Sequence, residues 1–574
     1  MKKLMLGNEA LAQGLYESGV RVACSYPGTP STEITEYVSQ YDEIYSEWAP
    51  NEKVAAEAAF GACIAGARSF CAQKHVGLNV CADLFFTASY TGVGGGMVLA
   101  VADDPGMHSS QNEQDSRHYA IAAKLPMLEP ADSAECLAYT KQAYELSERF
   151  DTPVLIRLTT RVAHSQSIVE TGERAHDELK PYAKNAQKFV MVPAHAKARH
   201  VVVEERSQKL NAFAETTALN TIELHDTKIG VIAAGITYQY AKEALGEQAS
   251  YLKLGLINPL PVELIKEFAA KVDVLYVMEE LDPVIENHCR QIGVPVIGKE
   301  AFTYIGEYTS AMIREKLLGQ SRDCFRCDLT APGRPPVLCP GCPHRGTFYV
   351  LSKMKLNVSG DIGCYSLGAS APLSAMDTTI CMGASISALH GMTKARGAEF
   401  AQKSVAVIGD STFMHSGMTG LCDIVYNKGI ATVLILDNSI TAMTGHQQNP
   451  TTGFTIKNEP TNAVDLAAVC RALGVKRVRE VDPFDLSGLE AMLKEELAAD
   501  EPSVILVKRP CALLKGVKHN PPLTVASDQC RSCRKCMQIG CPAISFSTGK
   551  AAVDTTLCVG CGLCQQLCPF GAIQ

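Results

Sequence analysis

Residues 407–447 read VIGDSTFMHSGMTGLCDIVYNKGIATVLILDNSITAMTGHQ. An apolar run ends in Gly409-Asp410-Ser411, a helical pattern follows, and a second apolar run ends in Asp437-Asn438. Two continuously apolar strands joined by a helix predict a parallel unit with both sheet faces covered, since a half-wet sheet would alternate apolar and polar residues. A glycine at such a turn lets the backbone approach a phosphate, and the helix start offers free N–H groups and a favourable dipole. Asp410 and the Asn438 side chain bring hard oxygens of the kind Mg2+ takes together with diphosphate oxygens. A generic crossover would explain Gly409-Asp410 alone. The spaced Asp437-Asn438 pair is what adds a metal to the reading.

The same signature recurs outward along the chain. RVACSYPG (21–28), GMVLAVADD (96–104), PVLIRLTT (153–160), KIGVIAAG (228–235) and VDVLYVMEE (272–280) precede the quoted stretch, and SVILVKR (503–509) follows it. Several end in Gly, Asp or Asn, and ligands of open α/β sheets gather at the carboxyl ends of strands. Polar residues 165–225, the Pro- and Cys-rich DCFRCDLTAPGRPPVLCPGCPH (323–344) and the linker KGVKHNPPLTVAS (515–527) mark boundaries. The chain is expected to be α/β, with three doubly wound domains over 1–175, 176–325 and 326–518 and a small α+β domain over 519–574.

A chain of 574 residues exceeds a single core. With 47% hydrophobic and 20% charged residues it reads as a soluble globular protein. The net charge of −8 argues against general nucleic-acid binding. In MKKLMLGNEALAQGL the apolar run is too short for a signal peptide, and no apolar stretch reaches membrane-span length. The expectation is a cytoplasmic protein with no membrane partner. Its 23 cysteines are therefore not a disulfide framework, because the cytosol keeps thiols reduced. Cys63, Cys71, Cys381 and Cys470 read as inert buried thiols.

The cysteines concentrate at the end of the chain, in CRSCRKCMQIGCP (530–542) and CVGCGLCQQLCP (558–569). Two C-x2-C-x2-C runs, each followed by Cys-Pro, match the two-cluster ferredoxin pattern, in which the fourth cysteine of each run ligates the other cluster. On that logic Cys530, Cys533, Cys536 and Cys568 hold one 4Fe–4S cluster, and Cys558, Cys561, Cys564 and Cys541 hold the other. Crosswise donation makes the longer Cys536–Cys541 spacing tolerable. Zinc sites use two separated C-x-x-C pairs rather than such triplets. The tail carries electrons.

The quoted 407–447 stretch resembles the thiamine-diphosphate motif, a GDG followed by an asparagine-containing pair. The resemblance implies that Gly409, Asp410 and Ser411 meet the diphosphate and that Asp410, Asn438 and the Ile440 carbonyl hold Mg2+. Ser411 departs from the third glycine. Thiamine chemistry also needs a carboxylic acid at the aminopyrimidine, and NEKVAAEAAFGACIAGA (51–67) is similar to that glutamate helix, with Glu52 favoured over Glu57. Both halves, joined to a ferredoxin tail, resemble the 2-oxoacid:ferredoxin oxidoreductases. YPGTPSTEI (26–34), KHVGLNVCAD (74–83), PGMHSSQNEQDSR (105–117), CPGCPHRGTFYVL (339–351) and GDIGCYSLG (360–368) are similar to the α subunits of indolepyruvate ferredoxin oxidoreductases over essentially the whole chain.

That resemblance implies thiamine-enzyme-type α/β domains and oxidative decarboxylation of aryl pyruvates, with CoA capturing the acyl group and 4Fe–4S clusters passing electrons to ferredoxin. The long spacing before Cys541 is a trait of the family. Thr29 matches a threonine that contacts the substrate carboxylate, and His75, His108 or His446 could face the reacting groups. Cys339, Cys342, Cys364 and Cys511 correspond to a possible third cluster, and Cys324/Cys327 to a zinc or redox pair. A homodimer with a smaller β subunit, a heterotetramer, is expected. The rival readings are a pyruvate-type or non-oxidative thiamine decarboxylase, and an iron–sulfur electron-transfer subunit without catalysis of its own.

Overall fold

In the computed structural model, which describes residues 1–175, 179–321, 329–546 and 549–574, the chain divides into two compact units, Met1–Cys327 and Asp328–Gln574. Each expected strand forms, trimmed by up to three residues at an end. Val22–Ser25, Met97–Asp103, Val154–Thr159, Ile229–Ala234, Val274–Met278, Ser404–Gly409, Thr432–Asp437 and Ser503–Lys508 are all β-strands. The α/β reading holds.

The first unit carries two main sheets. The larger runs, edge to edge, Leu256–Asn258, Met127–Leu128, Val154–Thr159, Met97–Asp103, Ser69–Lys74, Val22–Ser25 and Tyr45–Trp48, parallel except at Leu256–Asn258. Its inner strands are buried on both faces, so Met97–Asp103 and Val154–Thr159 read as mainly apolar runs, whereas the equally buried Ser69–Lys74 carries Ser69, Gln73 and Lys74. The second sheet orders Val274–Met278, Ile229–Ala234, Ser250–Leu254 and Asn220–Glu223, the last strand antiparallel. Arg117 and Arg157, both buried, join elements of this unit through ion pairs to Asp115 and Glu279, and to Asp103 and Glu129.

The polar 165–225 segment is more than a linker. Gln166–Glu170 pairs antiparallel with Lys2–Leu6, and Pro193–Ala214 is a 22-residue helix. That helix is polar nearly all round and so shows no apolar stripe in the sequence. Arg206 and Arg199 fasten it by donating to the carbonyls of Ser89, Asp151, Tyr90 and Thr91.

The second unit is built on a six-stranded, wholly parallel sheet ordered Thr378–Thr379, Asn357–Gly360, Ser404–Gly409, Thr432–Asp437, Ser503–Lys508 and Arg477–Val481. Its carboxyl edge presents Asp361, Asp410 and Asn438 side by side. A small tail with one antiparallel hairpin, Ile544–Phe546 with Ala551–Val553, packs its cysteines around two apolar cavities. Among the described residues, no helix is long and apolar enough to cross a membrane.

Candidate active site

Glu52 opens the helix Glu52–Ile64, capped by the Asn51 side chain, which accepts from the Val54 N–H at 2.9 Å. Asn51 caps well because its extended backbone leaves the carboxamide free to meet an orphan helix donor. Glu52 is only 5% exposed. The helix His75–Thr91 crosses so close that a Cβ on Gly77 would come within 2.7 Å of Glu52 Cγ and 2.8 Å of Oε1. Gln73 Nε2 donates to the Glu52 carbonyl at 3.2 Å. Glu57, the rival in the sequence, points the other way, exposed and ion-paired to Lys53.

His75 begins the helix beside Gly77 and is fully buried, and neither ring nitrogen makes a hydrogen bond of ordinary geometry. Burial lowers its pKa and holds the ring neutral. Thr29 lies half-buried in the loop between Gly28 and the Ser31 amide, which closes back onto the Gly28 carbonyl at 2.9 Å. Lys74, which the sequence reading passed over, is buried next to this loop, its Cβ 3.1 Å from where a Gly28 Cβ would stand. Its ammonium donates to the Ser109 carbonyl, and burial, partly offset by Asp104, brings its pKa down to about 8. His108 is apart from this group, exposed and bonded to Glu307 at 2.8 Å.

In the second unit Asp410 follows the strand Ser404–Gly409 and is 2% exposed. Thr451 Oγ1 donates to its Oδ2 at 3.1 Å and Asn449 Nδ2 at 3.4 Å. Burial, then the neighbouring Asp437, pushes its pKa up to about 7. Among the described residues no lysine or arginine pairs with either carboxylate. Asn438 is buried, its Oδ1 accepting from the Ile440 N–H at 3.3 Å and its Nδ2 lying 3.5 Å from His344 Nε2. Ser411 stands 3.0 Å, Oγ to Oγ1, from Thr441. A Cβ at Gly409 would meet Tyr365 Cε1 at 2.8 Å, so only glycine fits. A π-helical stretch, Phe413–Gly417, follows at once; such bulges occur mainly at functional sites.

The sequence reading singled out neither His344, which comes from a distant segment, nor Asn449 and Thr451, which lie in the loop just past residue 447. Burial alone pushes the His344 pKa down to about 4, so its ring is neutral beside Asn438. The donor set fits magnesium with a diphosphate. It offers a carboxylate, a carboxamide and a backbone carbonyl, all hard oxygens, around two neighbouring acids that lack a counter-ion.

The tail gathers its eight thiols as two sets of four. One cavity is lined by Cys541, Cys558, Cys561 and Cys564, the other by Cys530, Cys533, Cys536 and Cys568. The linings are apolar, and backbone N–H groups point at sulfur: Ala572 to Cys568 Sγ at 3.3 Å and Leu523 to Cys558 Sγ at 3.4 Å. Thiol donors around a dry cavity suit an iron–sulfur cubane. Cys339, Cys342, Cys364 and Cys511 also neighbour one another, each thiol acting on others of the set. Cys511 donates its N–H to the Asn438 carbonyl at 2.9 Å, and its Sγ lies 3.8 Å from His446 Nε2. Cys324 and Cys327 lie outside the described residues.

Three family models match. Residues 13–225 match the pyruvate flavodoxin/ferredoxin oxidoreductase thiamine-diphosphate-binding model, 361–507 the C-terminal TPP-binding domain of thiamine pyrophosphate enzymes, and 551–574 the 4Fe–4S binding domain. Indolepyruvate oxidoreductase subunit IorA of Archaeoglobus fulgidus is 37% identical over 610 residues, spanning 100% of this chain and 97% of its own. The IorA subunits of Thermococcus kodakarensis (39% over 627 residues; 100% and 96%) and Methanothermobacter thermautotrophicus (39% over 606; 100% and 97%) agree. The chain belongs to the indolepyruvate oxidoreductase IorA family. It is an oxidoreductase of the 2-oxoacid:ferredoxin class, with thiamine-diphosphate-binding domains and a 4Fe–4S domain. The 4Fe–4S match takes in Cys558–Cys568 but begins after the run Cys530–Cys541, the one with the longer spacing.

Proposed function

We propose that this chain is the catalytic subunit that converts aryl pyruvates, indolepyruvate among them, to aryl-acetyl-CoA. The balanced reaction joins the 2-oxoacid, CoA and two oxidised ferredoxins, and yields the acyl-CoA, CO2, two reduced ferredoxins and a proton. The observation that carries this reading is the contiguity of the second unit. The uncompensated acids Asp410 and Asp437, the Asn438 amide, the inner cysteines and the tail cysteines follow one another through bonded or neighbouring groups.

Thiamine diphosphate, when bound, supplies the carbon that adds to the 2-oxo group and takes up the electron pair left by CO2. The chain's own residues do the rest. Asp410, Asn438 and the Ile440 carbonyl hold Mg2+, while the Gly409 and Ser411 backbone admits the diphosphate. His344 steadies the Asn438 carboxamide. Glu52 is the buried carboxyl that hydrogen-bonds the aminopyrimidine, fixed by the Asn51 cap and by Gly77. Lys74 and Thr29 suit a substrate carboxylate, and the buried, neutral His75 suits the 2-oxo oxygen. The tail cysteines hold two 4Fe–4S clusters, and Cys339, Cys342, Cys364 and Cys511 a third, nearest Asn438. CoA is the co-substrate. The expected assembly is a homodimer with a smaller β subunit, working with ferredoxin in the cytoplasm.

Stoichiometry tests this directly. The anaerobically purified chain should carry one thiamine diphosphate, one magnesium and close to twelve irons. Close to eight irons would remove the inner cluster alone. Eight irons with no thiamine binding at millimolar cofactor would leave an electron carrier.

A further inference from the structure

Arg345 lies in the first turn of the helix His344–Met354, and its side chain is 2% exposed. Among the described residues its guanidinium donates to backbone carbonyls alone. On the tail these are Ile539 (3.1 Å) and Gly540, the residue before Cys541; on the preceding loop they are Leu338 and Cys339 (3.1 Å). Among the described residues no carboxylate pairs with it, and the ionisable groups that act on it are the thiols of Cys541, Cys342, Cys561 and Cys339. The guanidinium also lines the cavity surrounded by Cys541, Cys558, Cys561 and Cys564. Arg117 and Arg157, as deeply buried, each have at least two carboxylate partners. A buried cation with carbonyl dipoles alone is strongly unfavourable unless an anion arrives beside it.

We propose that Arg345 is the counter-charge of the cluster held by Cys541, Cys558, Cys561 and Cys564 and that it raises that cluster's reduction potential. The inference rests on the cluster assignment above. Reduction is a one-electron step in which no bond forms or breaks. When bound, the cluster would supply one-electron storage for an electron released by decarboxylation on its way to ferredoxin, and Arg345 would hold its positive charge beside the negative charge so added. Net charge and local dipoles are among the factors that set such potentials. The other tail cavity, lined by Cys530, Cys533, Cys536 and Cys568, has Arg531 and Arg534 in its wall, on an exposed stretch where solvent screens their charge.

The test compares Arg345→Gln, which keeps hydrogen-bond donors and removes the charge, with Arg345→Lys, which keeps the charge and removes the fork. Both are made in the full chain with its partner subunit, and iron content and cluster midpoints are read by EPR-monitored redox titration. Arg345→Gln should shift one cluster at least tenfold toward its oxidised state at a fixed potential, about 59 mV for a one-electron couple, while Arg345→Lys stays near wild type. If Arg345→Gln fails to keep its iron, retention by Arg345→Lys supports the charge assignment. Wild-type midpoints in iron-replete Arg345→Gln, equal shifts in both variants, or equal iron loss in both would overturn it. A wild-type chain without iron would instead sink the cluster assignment itself.

Discussion

Glu52 and Glu57 stand on one helix and differ in everything that matters for proton chemistry. The first is buried against Gly77, and the second is exposed beside Lys53. Glu52→Gln should therefore cut 2-oxoacid-dependent cluster reduction by at least ~100-fold, the usual weight of a positioned proton-transfer group. Bound thiamine and iron should stay intact, and Glu57→Gln should remain within twofold. Anaerobic stopped-flow at the cluster absorbance measures both. At this scale the sequence was legible where the proposed ligands are local. Asp410, Asn438 and Ile440 lie at the ends of adjacent strands, so their spacing could be read directly. His344 reaches the same place from a distant segment and Asn449 from the loop just past residue 447, and no periodicity announces either residue. Lys74 was hidden differently, at the end of the strand Ser69–Lys74, whose sequence SFCAQK is too polar to read as an apolar run.

At the scale of elements, the crossing of Glu52–Ile64 and His75–Thr91 leaves no room for a side chain at residue 77. Gly77→Ala should displace the Glu52 carboxyl and lower turnover nearly as far as Glu52→Gln. Because only one methyl must be accommodated, its cost in stability should stay within about 1–3 kcal/mol. Thermal melting together with turnover separates the two effects. Asn51→Ala should cost about 1 kcal/mol through the lost cap. Strands were legible because parallel sheets bury both faces and so print as apolar runs. The helix Pro193–Ala214 was not, since its hold on the first unit comes from arginine-to-carbonyl bonds rather than an apolar stripe.

At the scale of the whole molecule, the buried charges of the first unit set a pH dependence. Burial, with Glu307 and Glu129 nearby, pushes the Glu280 pKa up to about 7, against the opposing pull of the Tyr308 N–H and Arg157. The folded chain therefore keeps a proton there that the unfolded chain releases near pH ~4.3. Glu280's contribution to stability is complete below that lower value and is lost as pH rises through about 7. Glu280→Gln, which can still accept from Tyr308, should flatten this decline, gaining up to about 3 kcal/mol on wild type by pH 8. Denaturant melts at a series of pH values provide the check, and parallel curves for the two proteins would rule the assignment out. The α/β architecture and the tail motif were visible in the sequence as apolar runs and cysteine spacing. The buried acids and arginines that tie the sheets together were not, because a charged residue inside a strand or loop looks the same whether its partner is water or another chain segment.

On the proposed function, one chain both holds the thiamine site and receives its electrons. EPR of the anaerobic chain with its β subunit and CoA, before and after indolepyruvate, with and without thiamine diphosphate, decides this. Reduced 4Fe–4S signals should appear only when thiamine and the 2-oxoacid are both present, and none should appear in Asp410→Ala. Iron-replete clusters that stay oxidised with thiamine, CoA and 2-oxoacid all supplied would contradict it.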